Sequence, residues 1–342
     1  MMKKSRKCMI ITSVLLIILL TGGPLLADST RPQDVPPRPS EIIRPELDKM
    51  VMDQEDETGW HANVLLGGGV ISGRPSGLDY DKKNKKLKSL DDKADRKTEP
   101  IPLIMGSLGY TFGTGTTIRT DLGILDGLAL YIDQSLGDIG SMTLGIDTSR
   151  YDVWKDPYLI GVERERTRLT QTKFVAEYSI AGLSVGGGVT SQKVKDDDVG
   201  KRVDELKRDG NIYDVNVGYA IATEDFGILQ PSLSYKRQDL DGKADSSHGY
   251  SANIVHNYMI GQITFTTGFS YGKTQYKDIN TLVNVKRKDT VYGISETITY
   301  NNLFGNPRLY AMMMLAWETT DSNHNIFESN FLTSGLGFGY NF

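Results

Sequence analysis

Phe331-Leu332-Thr333-Ser334-Gly335-Leu336-Gly337-Phe338-Gly339-Tyr340-Asn341-Phe342 ends the 342-residue sequence. Leu332, Leu336, Phe338, Tyr340 and Phe342 share one face of an extended strand, interrupted only by Ser334; Thr333, Gly335, Gly337, Gly339 and Asn341 share the other. Side chains alternate across a strand, so period two separates an apolar side with aromatics toward its end from a small, polar side. A single strand of this kind also fits the edge of a sandwich. Recurrence decides between the two.

The pattern recurs. Ile263, Phe265, Thr267, Phe269 and Tyr271 alternate with Gln262, Thr264, Thr266, Gly268 and Ser270, and Tyr213, Val215, Val217, Tyr219 and Ile221 alternate with Asp214, Asn216, Gly218 and Ala220. Leu309, Ala311, Met313, Leu315 and Trp317 oppose Tyr310, Met312, Met314 and Glu318. Trp60, Tyr110, Phe112, Tyr219, Tyr235, Tyr271 and Trp317 fall near strand ends, where they would form the aromatic girdles of a membrane barrel. Short links such as 113–115, 181–182, 223–227 and 301–307 alternate with longer charged ones near 70–101, 150–167, 195–210, 237–248, 275–288 and 319–329. Short periplasmic turns and long outer loops are expected of a transmembrane barrel.

The fold expected is therefore all-β: a transmembrane antiparallel up-and-down β-barrel over residues 59–342. Strands are placed near 60–69, 102–112, 116–123, 127–136, 140–149, 168–180, 182–193, 211–222, 228–237, 249–258, 261–274, 289–300, 307–318 and 331–342, a count of 14. Leu122 to Leu130 admits another reading, and without the pair at 116–136 the count is 12. The last strand, with Phe342 at its end, resembles the signal that barrel-assembly machinery reads. One strand conflicts with the scheme. Tyr292, Ile294, Glu296, Ile298 and Tyr300 share a face, which sets a carboxylate at membrane depth unless a bulge or an inward apolar cluster relieves it.

The first 27 residues read as a cleavable secretory signal peptide. Lys3, Lys4, Arg6 and Lys7 precede the apolar run Cys8 to Leu20, and Leu25-Leu26-Ala27 offers a cleavage site before Asp28. That run is short for a spanning helix, and no later segment reaches the ~20 apolar residues one needs. Cys8 is the only cysteine and leaves with the signal, so a mature disulfide or thiolate site is excluded. Cleavage leaves 35 Lys and Arg against 43 Asp and Glu, a balance that argues against a nucleic-acid partner. Residues 28–58 hold five of the 12 prolines and the acidic stretch Glu46 to Glu57, and read as a periplasmic tail. The destination expected is the outer membrane of a Gram-negative bacterium.

Catalytic and metal sites are not expected, nor is a cofactor. A barrel lipase needs a serine and a histidine on one strand face, but Gly249 and Tyr250 follow His248. Asp321 and His324 are spaced wrongly for a protease pair, and among His61, His248, His256 and His324 no two sit at metal-ligand spacing. Lys195-Asp196-Asp197-Asp198 lacks the spaced ligands and closing Glu of a calcium loop. Gly186-Gly187-Gly188 lies within a strand with no helix after it, which suits barrel curvature or close approach of a lumenal element better than phosphate binding.

Transport remains. Arg119, Asp121, Asp133, Asp147, Lys173, Glu177, Asp214, Asn216, Gln230 and Asn253 fall on the faces expected to point inward, and are the pore-lining candidates. A polar interior suits a passive, porin-like passage for small hydrophilic solutes, and the excess of carboxylates predicts weak cation preference. The competing expectation is a closed barrel, its interior filled by paired charges, acting through its outer loops. The expected partners are outer-membrane lipid and lipopolysaccharide. The loop from Leu78 to Lys97, with eight basic and five acidic residues, either contacts lipopolysaccharide phosphates or is simply solvated.

Four loop-borne stretches carry a family likeness: Trp154-Lys155-Asp156-Pro157-Tyr158-Leu159-Ile160-Gly161, Lys207-Arg208-Asp209-Gly210, Asp239-Leu240-Asp241-Gly242-Lys243 and Asp321-Ser322-Asn323. With them, the chain from about Gly59 to Phe342 resembles a family of bacterial outer-membrane barrels, porin-like in superfamily, catalogued only as a domain of unknown function. The resemblance implies fold and place. It implies no activity, so it assigns no functional residues.

Overall fold

The computed structural model describes residues 58–123, 127–223 and 226–342. The signal peptide and all but the last residue of the tail lie outside the described residues. Fifteen strands follow in chain order: β1 (Gly59–Arg74), β2 (Lys97–Thr111), β3 (Thr116–Gly123), β4 (Gly127–Ser135), β5 (Ser141–Trp154), β6 (Arg166–Ile180), β7 (Leu183–Val194), β8 (Gly210–Tyr219), β9 (Ile221–Thr223), β10 (Gly227–Leu240), β11 (Ser247–Ile260), β12 (Ile263–Tyr276), β13 (Lys288–Tyr300), β14 (Leu309–Ser322) and β15 (Ser329–Asn341). Apart from β8 and β9, each pairs antiparallel with the next, and β15 pairs with β1, which closes the ring. β8 and β9 both pair with β10, so they occupy one position and the barrel has 14 staves. Closure removes every sheet edge, which the bilayer requires because it offers no hydrogen-bond partner to a bare one.

Burial follows the alternation. On β8, Ile212, Asp214, Asn216 and Gly218 are buried while Tyr213, Val215, Val217 and Tyr219 are exposed. On β15 the exposed set is Leu332, Leu336 and Phe338. These exposed apolar faces form the belt that meets lipid, and aromatic contacts mark its two rims. Trp60–Tyr110 and Tyr340–Phe342, with centroids 5.1 and 4.7 Å apart, lie at the short-turn end. Tyr235–Tyr250 and Tyr271–Tyr292, at 5.0 and 5.5 Å, lie at the other. No helix among the described residues is long and apolar enough to cross a membrane.

Three expectations need correction. The strands run past their expected outer ends, so that β1 reaches Arg74 and β5 reaches Trp154. Beyond the bilayer the outward face meets water, and a strand there loses its apolar alternation while keeping its ladder. The segment 211–222 is interrupted at Ala220, whose N–H bonds the carbonyl of Gly182. Glu296 is relieved neither by a bulge nor by turning inward. β13 stays in register with β12 and β14 throughout, and Glu296 shares the outward face of Ile294.

Candidate functional site

The inward face of β3 to β11 is mostly polar, apart from the buried cluster of Tyr151, Leu169 and Val194 toward the outer end, and its charges are set against one another. Arg119 lies between two carboxylates: Nε donates to Asp133 Oδ2 at 2.8 Å and Nη1 to Asp121 Oδ2 at 3.1 Å. Its guanidinium lies 4.3 Å from the centroid of the Tyr131 ring, and Thr143 donates to the other oxygen of Asp133 at 2.6 Å. Planar guanidinium and aromatic ring stack while the fork serves the carboxylates, a combination lysine cannot supply.

The glycine triplet on β7 organises the second group. A Cβ at Gly188 would stand 2.8 Å from Lys173 Cε and 3.1 Å from Asp214 Oδ1. Because that space is empty, Lys173 on β6 crosses the bare backbone of β7 to reach Asp214 on β8, Nζ to Oδ1 3.4 Å. Two residues on, a Cβ at Gly186 would meet Asn216 Oδ1 at 3.0 Å and Glu177 Oε2 at 3.2 Å. Asp147 stands opposite Lys173 in the β5–β6 register. On the same surface Gln171 donates to Gln192 at 2.7 Å and Asn257 to Gln230 at 3.5 Å, with Asn253 buried between.

All ten sequence-selected residues thus stand on the inward face. The structure gathers Arg119, Asp121 and Asp133 into one group and Asp147, Lys173, Glu177, Asp214 and Asn216 into another. It leaves Gln230 and Asn253 apart from both.

The other wall differs, and alternation alone did not single it out. Leu65, Leu103, Met105, Tyr310, Met312 and Met314 form one buried apolar cluster on the inward face of β1, β2 and β14. β15 lies between β14 and β1 and contributes glycines, so side chains from both flanks lean over it. A Cβ at Gly335 would fall 2.7 Å from Leu103 Cδ1, and one at Gly337 3.1 Å from Leu65 Cδ1. Asn63 Nδ2 donates to the Tyr310 hydroxyl at 3.0 Å and to Asn341 Oδ1 at 3.1 Å, which closes the cluster at the short-turn end. The signal was present in 309–317, where both faces are apolar, beside a strand with glycines on one face only.

The outer end carries a roof. Six connections, 75–96, 155–165, 195–209, 241–246, 277–287 and 323–328, leave the barrel there. Tyr158, Val199, Leu206 and Ala244 form a buried core, with Leu78, Leu90, Val203, Leu282 and Val283 packed against it; Leu87, Ile326 and Phe327 form an adjoining one. Loops from roughly opposite sides meet, since Asn280 Nδ2 donates to the Tyr158 hydroxyl at 2.7 Å. The segment Leu78 to Lys97 is therefore not a merely solvated loop. Leu87 is buried, and a bridge joins it to Ile160.

Arginines hold the roof together through backbone carbonyls. Arg164 donates from Nη1 to Gly77 O at 2.7 Å and Pro157 O at 2.8 Å, and from Nη2 to Asn84 O at 2.5 Å, while lying 4.6 Å over the Trp154 ring. Burial pushes its pKa down to about 10, against the opposing pull of Asp81 and Asp156. Trp154 Nε1 donates to Asp79 O at 2.7 Å, and Arg208 spans Trp154 O and Lys155 O, each at 2.9 Å. Asp197, within the acidic run 196–198, accepts from Arg208 Nε at 2.8 Å. The stretch Trp154 to Gly161 and the residues Lys207 to Gly210, quoted above for family likeness, are thus roof parts. The histidines do not converge: His61 lies on the inward face under Gly109, His324 beside Asp91, and His248 and His256 outside. Among the described residues no group of three or more His, Cys, Asp or Glu is placed to hold a metal ion.

The family described as "Protein of unknown function (DUF2860)" matches residues 59–341, and the chain belongs to it. No curated protein matches the chain. Among solved structures, it is similar to OccK7 (OpdD) of Pseudomonas aeruginosa at 8% identity and a TM-score of 0.37, covering 83% of this chain and 99% of that one. It is similar to an anion-selective porin from Comamonas acidovorans at 10% identity and a TM-score of 0.40, covering 84% of this chain and 100% of that one. It is also similar to the CymD monoaromatic hydrocarbon channel, at 9% identity and a TM-score of 0.42, covering 84% and 89%.

Proposed function

Within this family of unknown function, we propose that the chain forms a narrow channel in the outer membrane of a Gram-negative bacterium, for small hydrophilic solutes and with a preference for cations. The observation that carries the reading is the polar inward arc from β3 to β11, on which carboxylates outnumber cations. An interior of that kind supports a water-filled passage, and its charge sets the sign of the preferred ion. Arg119 and Lys173 are each held against carboxylates, so the field left over is negative. The roof narrows the outer mouth, and exposed Lys82, Lys83 and Lys85 on it suit contact with lipopolysaccharide phosphates.

A second reading is favoured by the same roof. Loops packed around a common apolar core support a closed barrel that works through its outer surface. Single-channel recording of the refolded mature protein in a planar bilayer separates the two. Small, stable steps with a cation-selective reversal potential support the channel. Silence from protein that migrates heat-modifiably, and is therefore folded, removes the channel and leaves the closed barrel.

A further inference from the structure

The lipid-facing surface of β10 to β14 contains one polar row. Read across five strands in register, it runs Leu229 on β10, His256 on β11, Thr267 on β12, Glu296 on β13 and Leu315 on β14. The neighbouring row toward the outer rim is Ile254, Phe269, Ile294 and Trp317; toward the short turns it is Tyr258, Phe265, Ile298 and Met313. Polar side chains therefore interrupt an otherwise apolar wall at one level only. Thr267 Oγ1 donates to Glu296 Oε2 at 2.6 Å, and His256 Nε2 donates to the carbonyl of Phe226 at 2.5 Å. Among the described residues no hydrogen bond reaches the second carboxylate oxygen of Glu296 or Nδ1 of His256, and both residues stay partly exposed on the outward face. Ionisable groups on a lipid face are costly and need a partner.

The row is symmetric in kind about Thr267: leucine, imidazole, hydroxyl, carboxylate, leucine. Two barrels in one membrane share an orientation, so a two-fold axis relating them lies along the membrane normal. Such an axis reverses the left-to-right order of a facing row, and an isologous contact repeats every pairing twice. We infer that a second copy of this chain packs on the β10–β14 face with Thr267 at the two-fold. His256 then meets Glu296 of the partner subunit, and Glu296 meets His256 of the partner subunit. One proton serves each pair, whether it sits on the imidazole or the carboxyl, so both charges leave the lipid. Strands in such barrels tilt by ~40°, so the row climbs across the face, and the long His and Glu side chains span the offset. The inference uses only the outer surface and holds whether or not the lumen conducts.

The test is cysteine cross-linking in native outer membranes, since Cys8 is the sequence's one cysteine and lies in the segment read as the signal peptide. Thr267→Cys is expected to give a disulfide-linked dimer on oxidation, while Leu144→Cys, on the lipid face of β5, gives none. In the Thr267→Cys background, His256→Glu sets like groups opposite each other and lowers the dimer yield roughly tenfold. The double exchange His256→Glu with Glu296→His restores it, because the reversed row remains complementary. Light scattering of the unmodified protein in detergent gives two barrels per particle. Heat-modifiable migration verifies folding of every variant. The inference is overturned by folded Thr267→Cys protein that cross-links no better than Leu144→Cys, or by a double exchange that stays as low as the single one.

Discussion

The ring of Tyr310 fills the space in which residue 339 would carry a side chain: a Cβ there would stand 1.9 Å from Cζ and 2.2 Å from the hydroxyl oxygen. Tyr310 is almost fully buried and its hydroxyl is already engaged by Asn63, so the ring has nowhere to retreat. Gly339→Ala is expected to destabilise the barrel by about 1–3 kcal/mol, the usual cost of overpacking. Unfolding in urea, followed by the shift in heat-modifiable migration, measures it. Gly337→Ala should cost less, since its nearest neighbour is the end of Leu65 at 3.1 Å. Tyr310→Leu should relieve much of the penalty at 339.

Asp214 and Lys173 predict the ion preference. Neutralising Asp133, Asp214 or Glu177 to the amide removes negative charge from the arc, so the reversal potential under a salt gradient should move toward zero. Lys173→Met works in the opposite direction. It should raise cation preference while weakening the fold by about 3–5 kcal/mol, because Asp214, whose side chain is almost fully buried, is then left without its cation. A preference unmoved by any of these changes would put the conducting path elsewhere.

Arg164 predicts the behaviour of the roof. Its guanidinium serves four carbonyls, that of Lys85 from Nε at 3.4 Å, and its face covers Trp154, and each carbonyl left unpaired costs about 1–3 kcal/mol. Arg164→Met is expected to open the roof while sparing the barrel, whose strands do not depend on it. Trypsin added to intact cells should then cut at Lys82 to Lys88 faster than it does in the wild type, where the packed roof holds the exposed lysines in a fixed backbone. Arg164→Lys should be nearly as sensitive, since an ammonium cannot span four carbonyls and stack on indole.

The barrel was legible because lipid imposes period two on every spanning strand, as in 263–271 and 332–342. The glycines at 186 and 188 were legible as a place of curvature or of close approach, but not which, nor what approaches, since Lys173 and Asp214 lie 15 and 26 residues from Gly188 in the chain. The roof was illegible for a different reason. Leu78, Leu87, Val199, Leu206 and Ile326 are single apolar residues in charged loops, with no period to mark them, and only the convergence of six loops makes them a core. Glu296 showed itself as a conflict in one strand. Its row with His256 and Thr267 needs the register of three strands, and so was beyond reach of any one of them.

Acid should loosen the rim between β10 and the 277–287 loop. Asp239 accepts from Lys277, and Arg237 Nη2 donates to it at 2.7 Å. The hydrogen bond from Lys277 above all holds the Asp239 carboxyl below its ordinary value, against the opposing effect of burial and with a lesser contribution from Arg237. A depressed carboxylate contributes stability above its unfolded pKa and loses it as pH falls through the folded one. The loss therefore falls in the acid range below the ordinary aspartate pKa, and it should be small because the pair is exposed. Protection of the Lys277 amide, taken relative to its intrinsic exchange rate at each pH, should fall as the pH is lowered through that range, and Asp239→Asn should abolish the dependence.

Phe342 separates stability from assembly. Its N–H bonds Ala62 O at 2.9 Å and its ring meets Tyr340 edge-on at 4.7 Å, while most of the side chain is exposed. Deleting it removes one hydrogen bond at the rim and one member of the aromatic girdle, so the equilibrium cost should be about 1–2 kcal/mol. Assembly machinery that reads the end of β15 would respond far more strongly than that. Refolded into detergent, the truncated protein should match the wild type in urea unfolding to within this small difference. In cells, the amount reaching the outer membrane should fall several-fold. A parallel fall in both would mean that Phe342 acts only as a girdle residue. A fall in cells alone assigns it to recognition by the machinery, because only there does the order in which strands pair depend on a factor outside the chain.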